Sequence, residues 1–287
     1  MDKNSSRCYG LLYIVATPIG NLKDITYRAI EILQSVDAIL VEDTRHSSKL
    51  LAKFAINKQL IPVHAHNEHA KTQKLLAALK QGKSYALISD AGTPLINDPG
   101  FDLVRAAQQQ GITVVPIPGA CAIIAALSAA GVPCDIFTFA GFLSTKQSSR
   151  LQQLIALRAY NHTIVLYEST HRVLSCIADI ATIYGDDYTF IMAKELTKVH
   201  EFFVNDTAIH IRDWLLAVSG RCNGEFVLIL PPALLTSNLL NDDYKLLEIL
   251  LSELSLKQAI QIASKLSVTT KNALYKLGLV IQNAKPC

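Results

Sequence analysis

Short apolar runs alternate along the first half of the chain with segments whose apolar side chains recur at helical spacing. The runs at Leu11–Thr17, Ala38–Val41, Leu60–Ala65, Tyr85–Ile88 and Ile112–Ile117 read as buried strands. Between them the spacing predicts a helix over Ile25–Val36, where Ile25, Ala29, Ile32, Leu33 and Val36 share one face. Further helices are predicted at Ser47–Phe54, at Lys71–Gln81 before Gly82, and from Asp98 to Gln110 before Gly111. In the last of these Asp98 suits the N-cap and Pro99 the first helical position, where a missing N–H costs nothing. A small-residue helix over Ala120–Ala130 closes the series. Strands and helices in strict alternation predict an α/β domain with a mostly parallel sheet covered on both faces.

Gly131-Val132-Pro133 reads as a hinge, and the alternation then resumes. Strands are predicted at Ile136–Phe142, Ile164–Tyr167, Thr189–Ala193, about Val199–Val204 and Phe226–Leu230. Helices fall at Ser149–Ala159, Val173–Ile183 and Ile209–Val218, and Ser169 or Thr170 would cap the second. No helix separates Thr189–Ala193 from the strand after it, so antiparallel pairing is expected there. Pro231-Pro232 ends this second α/β unit, and three helices follow: Tyr244–Leu254, Leu256–Leu266 and Lys271–Ile281, the last capped by Thr269 or Thr270. The expected domains are therefore 1–131, 132–232 and 233–287.

Charge changes the picture only at the C-terminal end. The net charge is +3, yet 22 of the 27 basic side chains and all 24 acidic ones lie in residues 1–254. Beyond Leu254 there are lysines at 257, 265, 271, 276 and 285 and no Asp or Glu, a pattern suited to a phosphate backbone or to a solvated face. Six scattered cysteines without a Cys-x-x-Cys pair fit buried thiols in a reducing compartment. The first residues lack the apolar core of a signal peptide, and no uninterrupted apolar stretch is long enough for a membrane span. A soluble, cytoplasmic protein is expected.

The candidate chemistry lies in polar loops that each follow a strand. The richest is Ser89–Gly100, with Gly92, Thr93-Pro94, Asp90 and Asp98-Pro99, where backbone can approach a ligand closely. The others are Thr17–Asn21, Glu42–His46, His64–His69, Pro118–Cys121, Tyr167–Arg172 and Lys194–Lys198. Gathered at the sheet edges, such loops would line a cleft. Glu42–His46 reads equally as an Asp-capped helix start. His64, His66 and His69 invite a metal reading, but a polar strand end explains them better and no metal is expected. Neither the Gly-x-Gly-x-x-Gly fingerprint nor a P-loop is present, which disfavours a dehydrogenase of the usual kind and a P-loop nucleotidase.

These loops carry a resemblance. Thr17–Leu22, Glu42–His46, Ser89–Pro94 with Asp98–Gly100, Tyr167–Arg172, Lys194–Lys198 and Gly224–Phe226 stand in the order of one family. Over nearly its whole length the chain resembles the 16S rRNA ribose methyltransferases within the tetrapyrrole methylase-like (class III) AdoMet-dependent methyltransferases. It departs from their pattern at Gly119-Ala120, where Gly-Pro is usual, and at Ala140, where some relatives carry Glu. The resemblance implies two α/β domains with S-adenosyl-L-methionine (AdoMet) in the cleft between them, and a homodimer. It implies 2′-O-methylation of a cytidine in the decoding region of 16S rRNA on the 30S subunit. On this expectation Thr17, Pro18, Gly20, Asp90, Ala91, Gly92, Thr93, Pro94, Asp98, Pro99, Tyr167, Glu168 and Ser169 bind the cofactor. Asp43, Arg45, His46 and Lys194 are the expected catalytic groups, with Asp43 or His46 taking the proton. Arg172, Lys198, Lys271 and Lys276 are expected to meet RNA.

Overall fold

In the computed structural model, which describes residues 9–64, 67–233, 238–267, 269 and 271–284, two five-stranded sheets follow one another along the chain. His66, Thr270 and Lys285, named above, lie outside the described residues, as does the side chain of Lys276. The first sheet contains β1 (Leu12–Val15), β2 (Ala38–Val41), β3 (Gln59–Pro62), β4 (Tyr85–Leu87) and β5 (Val114–Ile117), in the order β3-β2-β4-β1-β5. Every pairing in it is parallel.

Both faces of that sheet are buried, which is why its strands read as continuous apolar runs. Strand alternation sends Leu12, Leu40 and Leu87 to one side, where they pack on α3 (Glu68–Lys80) and α4 (Phe101–Gln109) through Leu75, Leu79 and Leu103. It sends Val15, Ile39, Val41 and Ala86 to the other, against Ala29 and Leu33 of α1 (Tyr27–Ser35) and Leu51 of α2 (Thr44–Lys53).

The second sheet is mixed. It contains β6 (Phe137–Phe142), β7 (Thr163–Ser169), β8 (Thr189–Lys194), β9 (Phe202–Thr207) and β10 (Glu225–Leu230), in the order β6-β7-β10-β8-β9. Only β6 and β7 run parallel. The expected antiparallel pairing of β8 with β9 is present, and β10 adds two more by entering between β7 and β8. Helix α5 (Ala122–Ala130) follows β5 yet packs on this sheet, with Ile123, Ala126 and Leu127 against Val165, Ile191, Val227 and Ile229. Among the remaining helices, α6 (Gln147–Arg158) is tied to α7 (Val173–Tyr184) by a buried ion pair, Arg150 Nε to Asp179 Oδ2 at 2.6 Å. Helix α8 (Ala208–Leu216) follows β9.

Residues Met1–Pro232 form one unit and Ala233–Cys287 another. The second unit is α9 (Asn238–Glu253), α10 (Leu256–Leu266) and α11 (Lys271–Ala284), closed on its own core of Leu247, Ala259, Ile260, Ala263, Leu274 and Ile281. Ser255 and Gln258 form the capping box that starts α10.

At two helix starts the residue expected as cap does not serve as one. Helix α4 begins at Phe101, and its N-cap is Gly100 at φ 125°, so Asp98 and Pro99 stay in the loop. The orphan amides of that helix are met from elsewhere: buried Glu68 accepts from Gly100 N at 3.1 Å and Leu103 N at 2.9 Å. Helix α7 begins after Arg172, not after a Ser169 or Thr170 cap. Ser169 still belongs to β7, and the Thr170 hydroxyl bonds the backbone of Gly224 instead.

Candidate active site

Because β4, β1 and β5 are neighbours, the loops leaving their carboxyl ends lie side by side. Thr17 and Gly92 exchange backbone hydrogen bonds of 2.8 and 3.1 Å. The Thr17 hydroxyl donates to Ser89 O at 3.3 Å, and the Thr93 hydroxyl to Ala120 O at 3.0 Å. Gly92 has φ 82°, and a Cβ there would come within 3.2 Å of Ile19. Farther along the loop, Leu95 and Asn97 hold φ of 72° and 66°, a conformation that L-residues seldom adopt. The Ser89–Gly100 loop is thus fastened at several points and strained at two.

The second sheet supplies the facing wall from the end of β7 and the start of β10. Thr170 Oγ1 donates to Gly224 O at 2.8 Å and accepts from Gly224 N at 2.9 Å. Gly224 has φ 122°, and a Cβ there would fall 2.7 Å from the Glu195 carboxylate. That carboxylate accepts from Glu225 N at 2.9 Å, and Lys198 Nζ joins it to the Glu225 carboxylate at 2.9 and 3.0 Å. The Tyr167 ring receives Phe139 and Phe142 edge-on, at centroid distances of 4.8 and 5.7 Å. Burial pushes its hydroxyl far above the usual phenol range.

Together these loops line a cleft of about 480 Å³, within the usual size of small-molecule sites. Of the residues expected to bind a cofactor, Ala91, Gly92, Thr93, Asp98, Tyr167, Glu168 and Ser169 line it. Thr17 and Gly20 stand behind the lining: Thr17 pins Gly92, and Gly20 lies so close to Lys198 that no Cβ would fit. Pro18, Asp90, Pro94 and Pro99 are also outside it. The cleft further includes Ile19, Ile96, Asn97, Cys121, Phe142, His171 and Gly224–Val227, which the site expectation did not contain. Gly224-Glu225-Phe226 had a signal, since it stands among the family motifs. Asn97 lay in the Ser89–Gly100 loop without being singled out, and Phe142 had no signal, because backbone geometry turns it to the cleft.

Carboxylates stand on and beside the wall, together with His171. Burial, with Glu42 and Asp90 nearby, raises the Asp98 carboxyl to about 6 against the opposing Ser89 hydrogen bond. Burial and then Asp90 raise Glu42 as well. Buried Glu168 faces Arg172 Nε at 3.3 Å. No Lys or Arg lines the cleft among the described residues.

The expected catalytic groups, Asp43, Arg45, His46 and Lys194, are not among the lining residues. Asp43 is the N-cap of α2, and its carboxylate accepts from Arg45 N at 2.8 Å. Its backbone N–H reaches Asp90 Oδ1 at 3.3 Å, which puts this loop beside the Asp90 end of the cleft loop. The Arg45 guanidinium, 3.0 Å away, holds the Asp43 carboxyl down at about 2. Arg45 and His46 are exposed on the first turn of α2. Lys194 is buried, with Nζ 5.8 Å from the centre of the Phe226 ring. Arg172 also bonds Leu143 O, and Lys271 is exposed at the start of α11. Among the described residues no three His, Cys, Asp or Glu side chains converge as metal ligands.

Residues 11–211 match the family model for tetrapyrrole (corrin/porphyrin) methylases, and residues 241–282 match the RsmI C-terminal HTH domain. The chain is 47% identical over 275 residues to the ribosomal RNA small subunit methyltransferase I of Haemophilus influenzae, covering 94% of this chain and 96% of that one. Against the protein of that name from Escherichia coli O157:H7 the identity is 46% over 278 residues, covering 96% and 97%. The chain belongs to the ribosomal RNA small subunit methyltransferase I family of tetrapyrrole methylases. It is therefore a methyltransferase. Solved structures with the same fold include a diphthine synthase (TM-score 0.61, 15% identity, 77% of this chain and 90% of that one). Another is a Thermus thermophilus uroporphyrin-III-C-methyltransferase (TM-score 0.55, 19% identity, 80% and 98%). At such identities they speak for the fold of this methyltransferase, not for its substrate.

Proposed function

We propose that the chain transfers a methyl group from AdoMet to the 2′-hydroxyl of a cytidine in the decoding region of 16S rRNA, on the small ribosomal subunit. The observation that carries the donor is the charge of the cleft: carboxylates on its wall, glycine backbone at Gly92 and Gly224, and, among the described residues, no lysine or arginine. Such a lining suits a sulfonium with an α-ammonium group and opposes a nucleotide phosphate. The residues therefore fit AdoMet, which supplies an electrophilic methyl group when bound. Ala91–Thr93 and Ser169 would hold it largely by backbone, Tyr167 would give it an apolar floor, and Asp98 and Glu225 would meet its positive charge. The name of the relatives supports ribosomal RNA of the small subunit as acceptor.

The chain's own contribution is to orient a weak nucleophile and to manage its proton. Asp43 is a poor base at a pKa of about 2, and its carboxylate is spent on α2 and Arg45. His46, exposed one turn into α2, is the better proton acceptor. Arg45 would face a neighbouring phosphate, and Lys194 and Lys198 would add positive potential behind the cleft. The same reading carries a cytoplasmic homodimer. Among the described residues no helix is long and apolar enough to cross a membrane.

The test is label transfer from methyl-labelled AdoMet to undermethylated 30S subunits, 50S subunits and free 16S rRNA. Label is expected on 16S rRNA alone, and a 2′-deoxyribose at the target should abolish it. Label on 50S RNA, or retained on the deoxy target, would refute the assignment.

A further inference from the structure

Strand β6 carries an irregularity whose effect is felt in the cleft. Side chains three apart on a strand point to opposite faces. Phe139 and Phe142 nevertheless both lie against the Tyr167 ring, at 4.8 and 5.7 Å. The reason is a bulge: the register with β7 runs Phe139 to Val165 and then Gly141 to Leu166, leaving Ala140 as the extra residue. Gly141 absorbs the distortion at φ 62°, with its missing Cβ 3.1 Å from Asn97 Oδ1. One inserted residue thus turns Phe142 into the cleft instead of away from it.

Phe142 is not filled in by the protein. It stays 45% exposed, as does Ile96 at 41%, which the Ser89–Gly100 loop contributes to the same cleft. Beside them the exposed Asn97 amide has no hydrogen bond to the described chain. Large apolar side chains left open at the mouth of a site, next to an unengaged amide, suit a flat group with a polar edge. The inner lining of Gly92, Tyr167 and Val227 is more enclosed and is taken by the donor under the proposed function, on which this step rests. We infer that Phe142, assisted by Ile96, is the surface on which the base of the acceptor nucleotide stacks, and that Asn97 meets that base's hydrogen-bonding edge. Stacking on an aromatic face is how a base outside its helix is usually held. It would fix the ribose of that nucleotide without engaging the reacting groups, so Phe142 is a positioning residue.

The experiment uses the full chain with Phe142→Ala, Phe142→Leu and Phe142→Tyr. Three quantities are read: AdoMet affinity by calorimetry, kcat and KM for RNA in methyl transfer, and binding of a short unpaired RNA. With Phe142→Ala and Phe142→Leu, KM for RNA is expected to rise about tenfold or more, with AdoMet affinity unchanged. Phe142→Tyr should restore KM, because it keeps the aromatic face and Leu does not. An unchanged KM in Phe142→Ala overturns the inference, as does a parallel loss of AdoMet affinity, which would place the ring against the donor. The two readings fail separately. If no label reaches rRNA but Phe142→Ala loses unpaired RNA, the reaction assigned above is wrong and the stacking surface stands. If label transfers normally in Phe142→Ala, the reverse holds.

Discussion

Asp98 is the residue whose environment most changes its chemistry. Its carboxyl keeps the proton up to about pH 6 in the folded chain, against an ordinary value of 3.8. Between those values the folded state binds more protons than the unfolded one, so stability must fall as pH rises through that window. Asp98 therefore favours folding below its unfolded pKa, and that contribution is gone above about pH 6; Glu42, also raised, acts in the same direction. Asp43 has the opposite sign: its contribution is present above 3.8 and is lost as pH falls through about 2. We expect Asp98→Asn to flatten the decline in urea midpoint between about pH 4 and pH 7. Equal slopes in the variant and the parent would show that Asp98 is not the group responsible. A cationic donor favours the ionised carboxylate, so AdoMet affinity should strengthen across the same window in the parent and not in Asp98→Asn. Asp98 was legible as a candidate because it stands in a Gly- and Pro-rich loop after a strand, and it lines the cleft. Its shifted proton was not legible, because Glu42 and Asp90 reach it from separate stretches of chain.

Helix α4 shows what a single element owes to its neighbours. Its run of apolar positions announced a helix, and Asp98-Pro99 offered the expected N-terminus. The chain instead turns through Gly100 at φ 125° and leaves the first amides to Glu68, which lies on α3. A cap supplied from another helix cannot be read from local sequence. It also fixes the C-terminal end of the Ser89–Gly100 loop. Glu68→Ala would leave two buried N–H groups without partners, and the expected cost is about 2–4 kcal/mol by chemical denaturation. Glu68→Gln, which keeps one acceptor, should cost less. A loss under about 0.5 kcal/mol in Glu68→Ala would mean that water replaces the carboxylate. The bulge in β6 belongs to the same category: the strand was legible from its apolar pattern, and the inserted residue that turns Phe142 was not.

At the scale of the whole molecule, the acid-free lysine pattern falls in the helical unit and not in the methylase unit. The helical unit has its own core and matches an HTH domain. If Lys271 contacts a phosphate, Lys271→Ala should lower the slope of log affinity for rRNA against log salt by about 0.7–0.9. It should leave AdoMet affinity where it was; an unchanged salt slope would remove Lys271 from the RNA surface. The sequence by itself determined the α/β alternation, the polar loops after the strands, the three terminal helices and the family, because periodicity and local motifs are properties of neighbouring residues. Only the tertiary structure decided that β10 enters between β7 and β8, that α5 covers the second sheet, and that Asn97 and Phe142 turn into the cleft. Those outcomes depend on pairing across long separations, where burying apolar faces and satisfying backbone amides select one arrangement among many that local pattern allows.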